Sequence, residues 1–342
     1  MRSLCTDLRG PLKWGDQIAV PEKSDCAVTH PQDLAFDLPF GPDADPLTLT
    51  QKPVDLHLPD QRLSPIIVAS PHSGRLYPPD FVSQSRLDPV TLRRSEDAYV
   101  DCLFADAPGL GLPLLRALFP RAMVDPNRDA LELDPRMFND TLPRDAMTKS
   151  PRVAAGLGTI PRVVTNGEPI FDHKIRYADV GWRVPAFRTP YHQALAQLIR
   201  ETQQMFGAVL VIDAHSMPSL IGTSSDPAGY GASPLDIVLG DGHGTTCHPE
   251  IVAVAEHTFA ECNLNVVRNV PYAGGYTTRH YGHPERGVHV LQIEINRALY
   301  LDEKTVTPTQ HFDGLRSVVE RVLRSLIDAV DPIVLRADVA AE

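Results

Sequence analysis

Short apolar runs set between prolines and glycines predict the sheet of this chain. Ile66-Ile67-Val68-Ala69 follows Pro65 and stops before Pro71, as a buried strand does. Ala208 to Ile212 predicts a second strand after Gly207, and LDIVLG, near 235 to 240, a third. VHVLQIEIN, from 288 to 296, alternates, which puts Gln292 and Glu294 on one face and Ile293 and Ile295 on the other. Between these runs the period changes. Ala194, Leu195, Leu198 and Ile199 form a helical stripe over 191–205, with Pro190 placed for the first turn. Residues 249–262 and about 312–330 predict two further helices. The strand–helix–strand order predicts an α/β layer structure, with no internal repeat.

The patterning also divides the chain. Residues 1–60 are broken repeatedly by proline and turn residues, as in FDLPFGPDADPLTL, and read as a turn-rich N-terminal extension. Residues 61–332 read as one catalytic domain and 333–342 as a C-terminal tail.

Composition adds limits. The 342 residues, 43% of them hydrophobic, are enough for a sizeable core. The net charge of -11 argues against a broad nucleic-acid surface, though not against a local positive pocket. The five cysteines are odd in number, widely spaced and without a CxxC pair. A disulfide scaffold or thiolate zinc site is therefore not expected, and a reducing, cytoplasmic setting is. The start lacks the apolar core of a signal peptide, and no run approaches the ~18 to 20 apolar residues of a membrane span. The nearest, LFADAPGLGLPLLRALFP, carries charges, glycines and prolines. No membrane or nucleic-acid partner is expected.

The candidate chemistry sits at strand ends, where open α/β sheets form their ligand crevice. SPHSG places His72 three residues past the first strand. DAHSM places His215 three past the second, with Asp213 able to orient it. Glu96 and Asp97 offer adjacent carboxylates, either of which can complete a His/His/carboxylate set or cap a helix. Three such ligands leave the open position that catalytic zinc needs. Glu294 is a carboxylate in an apolar strand, where burial raises its pKa and suits it to general base work. Asn127 and Arg128, in VDPNRD, can hold a substrate carboxylate. Arg279 and His280, in GGYTTRHYG, can cover the substrate or bind an anion. His243 and His248 lie in a glycine-rich turn not tied to a strand end and rank below. A phosphate loop lacks its lysine in GLGTIPR, and a serine mechanism at Ser216 lacks the GxSxG elbow.

Together, SPHSG, EDAYVD, VDPNR, GLGTIPRVVTNGEPIFD, PYHQAL, VLVIDAHSM, GGYTTRHYG and QIEIN run in an order that resembles the N-formylglutamate amidohydrolase family. The enzymes of that family look like distant relatives of zinc carboxypeptidases and aspartoacylases. The resemblance covers most of the chain after residue 60. It implies a three-layer, carboxypeptidase-like (phosphorylase/hydrolase-like) α/β fold with a central mixed sheet. It also implies Zn2+ as cofactor, held by His72, Asp97 and His215, with Asp97 preferred to Glu96. Glu294 is then the base, Arg279 supports the oxyanion, and Asn127, Arg128, Arg279 and His280 bind substrate. Tyr99 stands at or beside a position where the family pattern commonly has histidine, and Arg75 at the place where carboxypeptidases have the glutamate of their HxxE pair. The implied partner is a small anionic N-acyl amino acid, N-formyl-L-glutamate in the first instance. The alternatives are a deacylase of another small N-acyl amino acid and a noncatalytic α/β binding protein.

Overall fold

The computed structural model describes residues 46–165, 167–219 and 235–339, and the first 45 residues of the expected extension lie outside them. Seven strands form one mixed sheet: β1 (Val54–His57), β2 (Ile66–Ser70), β3 (Leu114–Ala117), β4 (Val209–Met217), β5 (Ile237–Gly240), β6 (Val266–Arg268) and β7 (Val288–Asn296). Their order across the sheet is β1-β3-β2-β4-β7-β5-β6. The four central strands β3, β2, β4 and β7 run parallel, β1 is antiparallel to β3, and β5 is antiparallel to β7.

The helices follow in chain order. Short ones come first: α1 (Pro46–Gln51), α2 (Pro79–Gln84), α3 (Pro89–Arg93), α4 (Val100–Leu103), α5 (Pro151–Ala154) and α6 (Tyr177–Val180). Then come α7 (Thr189–Phe206), α8 (Pro249–Glu261), α9 (Tyr276–Tyr281) and α10 (Phe312–Val339).

Strand alternation sends side chains to two separate cores. On one face Val68, Ile212, Leu239 and Ile293 pack with Phe259 of α8 and Leu315, Val322 and Leu326 of α10. On the other, Ile67, Val209, Val211 and Val290 pack with Leu195, Leu198 and Ile199 of α7. The result is the expected helix–sheet–helix layering around a mixed sheet.

Three boundaries differ from the sequence reading. β1 lies inside the turn-rich stretch, so the folded domain starts before residue 61. α10 continues to Val339, past the expected end of the last helix. β4 does not stop at Ile212 but runs through the DAHSM motif. Its parallel pairing with β7 carries on from Val209↔Val288 to Met217↔Asn296. The backbone partner, not side-chain hydrophobicity, sustains the second half of that strand.

That register positions the site. Val209, Val211, Asp213 and His215 share one face of β4, and Val288, Val290, Gln292 and Glu294 the matching face of β7. α7 covers the apolar first half of this face. The polar second half opens into a cleft.

Candidate active site

The loop after β2 carries His72 and is held by local hydrogen bonds. Ser73 Oγ donates to the Asp97 carbonyl at 2.9 Å, and the Asp97 N–H donates to the His72 carbonyl at 3.0 Å. Gly74 is required there by close approach: a Cβ would lie 2.1 Å from the Phe119 carbonyl oxygen. These contacts bring the segment containing Asp97 against the β2 end.

His72, Asp97 and His215 meet in the cleft, with one ligand atom from each within 4.8 Å of the others. Asp97 Oδ2 lies 3.2 Å from His72 Nδ1 and 2.9 Å from His215 Nδ1. The other nitrogen of each ring is engaged too. His72 Nε2 donates to Asp125 Oδ1 at 2.7 Å. His215 Nε2 lies 3.1 Å from Asn127 Nδ2 and 3.2 Å from Asp213 Oδ2. Glu96, the other carboxylate considered, turns away to pair with Arg93 at 3.0 Å.

The electrostatics suit a cation. All three groups are buried. Burial opposes charge on Asp97, but hydrogen bonds from His215 and His72 outweigh it and hold the carboxyl well below its usual range. Burial likewise opposes protonation of His215, yet Asp213, Asp97 and Glu294 push its pKa well above the ordinary imidazole value. Both oxygens of Asp213 are buried without a hydrogen bond of good geometry. Two imidazoles thus share a pocket with several carboxylates, and each has a second partner that fixes its ring. That donor set fits a divalent ion of borderline softness such as Zn2+, with Nδ1 of each ring as the donor atom.

Glu294 stands opposite His215 in the β4–β7 register. Burial raises its pKa to about 7, with Asp97 adding to the rise and His215, Arg121 and Arg297 opposing it. Gln292 Nε2 donates to Glu294 Oε1 at 2.9 Å. The same Gln292 accepts from the Gly275 N–H at 2.9 Å through its own Oε1, which ties the base to the loop before α9.

Asn127 and Arg128 also line the cleft, whose volume is about 120 Å³. Asn127 Oδ1 accepts from the Thr277 N–H at 2.9 Å. Gly275 fits under this amide only without a side chain, since a Cβ would lie 2.2 Å from Asn127 Nδ2. Arg128 Nε donates to the Leu157 carbonyl at 2.9 Å, and Nη1 to the Asn127 carbonyl at 2.7 Å. Burial lowers its pKa to about 10, still leaving it charged at neutral pH.

Arg279 and His280 are not brought to the cleft. α9 buries Thr277 and Thr278 on its inner face, and the next two residues fall on the solvent side by helical period. Arg279 is exposed and donates to the Gly274 carbonyl at 3.0 Å, while His280 stacks on Tyr276 at 4.8 Å. The roles expected of these two in binding and oxyanion support are therefore corrected. His243 is exposed, and His248 caps α8 by accepting from the Glu250 N–H.

Sequence reasoning missed four groups. Asp125 orients His72. Arg121, inside the cleft, pairs with Asp125 at 2.7 Å and approaches Asp97 at 3.7 Å. Arg297 donates to Asp97 Oδ1 at 3.1 Å. Arg152 lines the cleft from α5, and among the described residues no ion pair or hydrogen bond engages its guanidinium. The signal for Asp125 and Arg121 was proximity to the Asn127-Arg128 pair. Arg152 and Arg297 had no local signal.

The chain is similar to known proteins over most of its length. Residues 64–301 match the family model described as N-formylglutamate amidohydrolase. Two curated relatives, N-formylglutamate deformylases of Pseudomonas aeruginosa and Pseudomonas putida, are each 28% identical over 275 residues, which is 78% of this chain and 92% of theirs. The crystal structure of N-formylglutamate amidohydrolase from Ralstonia eutropha superposes with a TM-score of 0.75 at 35% identity, covering 83% of this chain and 99% of that one. A gene product of Agrobacterium tumefaciens, 18% identical, shares the fold at a TM-score of 0.55 over 82% of this chain and 98% of its own.

Proposed function

The chain belongs to the N-formylglutamate amidohydrolase family, and on that premise we propose that it hydrolyses the formyl amide of N-formyl-L-glutamate, releasing formate and glutamate. The observation that carries this reading is the convergence of His72, Asp97 and His215 beside Glu294, in a cleft lined by arginines. His72 Nδ1, Asp97 Oδ2 and His215 Nδ1 would hold Zn2+. Bound there, the ion supplies Lewis acidity that acidifies water and polarises a carbonyl.

The protein's own groups do the rest. Glu294 Oε1 is occupied by Gln292, so Oε2 is the atom that takes the proton of the attacking water. The same oxygen then returns that proton to the amide nitrogen as the C–N bond breaks. Arg121, rather than Arg279, is the cation placed to face negative charge developing on the formyl oxygen.

Asn127 and Arg128 take the α-carboxylate, because Asn127 adjoins His215 and so lies beside the reacting amide. Arg152 takes the side-chain carboxylate farther out. The Leu157 N–H donates to the Arg152 carbonyl at 2.8 Å, and the Leu157 carbonyl accepts from Arg128. Leu157 thus links the Arg152 backbone to the Arg128 side chain.

Cys102, Cys247 and Cys262 are buried and form no disulfide among the described residues, which accords with action in the reducing cytoplasm. No helix among the described residues is long and apolar enough to cross a membrane.

Formate release from a panel of N-formyl and N-acetyl amino acids, run with metal analysis of the same protein, tests the reading. Metal-dependent turnover of N-formylglutamate supports it. Metal binding without turnover of any N-formyl substrate sinks it, and turnover of the acetyl series alone favours a different small-acyl deacylase.

A further inference from the structure

A second cavity, of about 680 Å³, shares no lining residue with the catalytic cleft. It lies among α2, α6 and the turn Val184–Arg188, and Phe81, Phe171, Trp182 and Phe187 give it aromatic walls. One lining group does not suit such a wall. Arg183 is 5% exposed. Its Nε has no hydrogen-bond partner, and Nη1 reaches only the Met123 carbonyl, at 3.4 Å. Among the described residues no carboxylate pairs with it, and the guanidinium lies over the Phe81 ring, 5.2 Å from its centre.

Burying a cation without a counter-charge is costly. Every other deeply buried arginine near the catalytic cleft has carboxylate or carbonyl partners at 3.1 Å or closer, as Arg128 and Arg297 do. At the rim, Lys174 and Arg176 are balanced by Asp80 and Asp179, which leaves Arg183 as the buried cation of the wall. A positive group at the wall of an aromatic cavity is the arrangement that recognises an organic anion.

We propose that this cavity binds a small organic acid, its carboxylate on Arg183 and its apolar or aromatic body against Phe81, Phe171 and Trp182. The site is connected to the cleft through the backbone. Arg183 holds the carbonyl of Met123, which lies between Arg121 and Asp125 in the chain. Five residues later, Arg188 Nε donates to the Arg128 carbonyl at 2.8 Å.

Trp182 lines the cavity and supplies the probe. The difference in emission between the wild-type chain and Trp182→Phe isolates its signal during titration with benzoate and with benzamide, its neutral isostere. Benzoate should give a saturable change, with benzamide about 10- to 100-fold weaker, the ratio expected when a charged hydrogen bond is lost. Arg183→Met should abolish the preference, Arg183→Lys should weaken it, and Arg152→Gln in the catalytic cleft should leave it intact. Equal responses to benzoate and benzamide, or no Trp182 response to millimolar benzoate, would overturn the proposal. That comparison needs only the wild-type protein and Trp182→Phe, so it decides the matter even where Arg183→Met does not fold.

Discussion

Asp125 Oδ1 lies 2.7 Å from Nε2 of His72, on the far side of the ring from Asp97. A carboxylate in that place fixes the ring and makes Nδ1 a better metal donor. Asp125→Asn keeps the shape but removes the charge, so zinc affinity should fall about 10- to 100-fold. Competition with a chromogenic chelator measures this directly. Unchanged affinity would mean that Asp125 serves only to hold Arg121.

Glu294 is assigned the proton, not the metal. Glu294→Gln should therefore lower kcat by about 10²- to 10⁴-fold while zinc content stays near that of the wild type. Formate release and metal analysis on the same sample separate the two effects. Loss of zinc together with activity would make Glu294 a ligand.

Arg152 carries a prediction about selectivity. Among the described residues its guanidinium has no partner at the edge of the cleft, and its charge already bears on Arg128. With Arg152→Gln, kcat/KM for N-formylglutamate should fall about 10- to 100-fold, and that for N-formylglutamine should change little. If both substrates fall equally, Arg152 supports the cleft rather than reading the second carboxylate.

Much of the site was legible because strand ends are legible. His72 and His215 stood just past apolar runs, and Glu294 interrupted an alternating one. The length of β4 was not, because Asp213 and His215 break the apolar pattern where the strand faces a cleft rather than a core. β1 and β3 were hidden for a different reason. Their few residues sit among prolines and gain their conformation from each other. Arg279 and His280 looked functional beside flexible glycines, but the turn of α9 rotates them outward. Arg121 and Asp125 could be found only by asking what flanks Asn127-Arg128.

Two histidines outside the site set an acid limit on stability. Burial and nearby Arg188 lower the His192 pKa to about 3, and burial with His248 lowers that of His289 to about 4. Both folded values lie below the roughly 6.5 of an unfolded histidine. Between these limits the unfolded chain binds more protons, so stability is full above about pH 6.5 and declines as pH falls toward 3 to 4. Each histidine adds about 1.4 kcal/mol per pH unit inside its window. Urea unfolding from pH 8 to pH 4.5 should show this slope, and His192→Asn should reduce it by one proton. Because Glu294, raised to about 7, contributes with the opposite sign over the same range, the difference between the two profiles is the decisive quantity, and a His192→Asn profile parallel to that of the wild type would contradict the assignment.

The pairing of His215 with Glu294 also dictates an order of assembly. His72, Asp97 and His215 all precede residue 216 in the chain, whereas Glu294 arrives only with β7, after β5, α8, β6 and α9 have been made. A chain emerging from the ribosome therefore carries its complete set of proposed zinc ligands long before it carries its base. The β4–β7 contact spans a long stretch of sequence and is of the kind that forms slowly. During refolding, metal capture and catalytic competence should accordingly be separate events, with the second waiting on one strand.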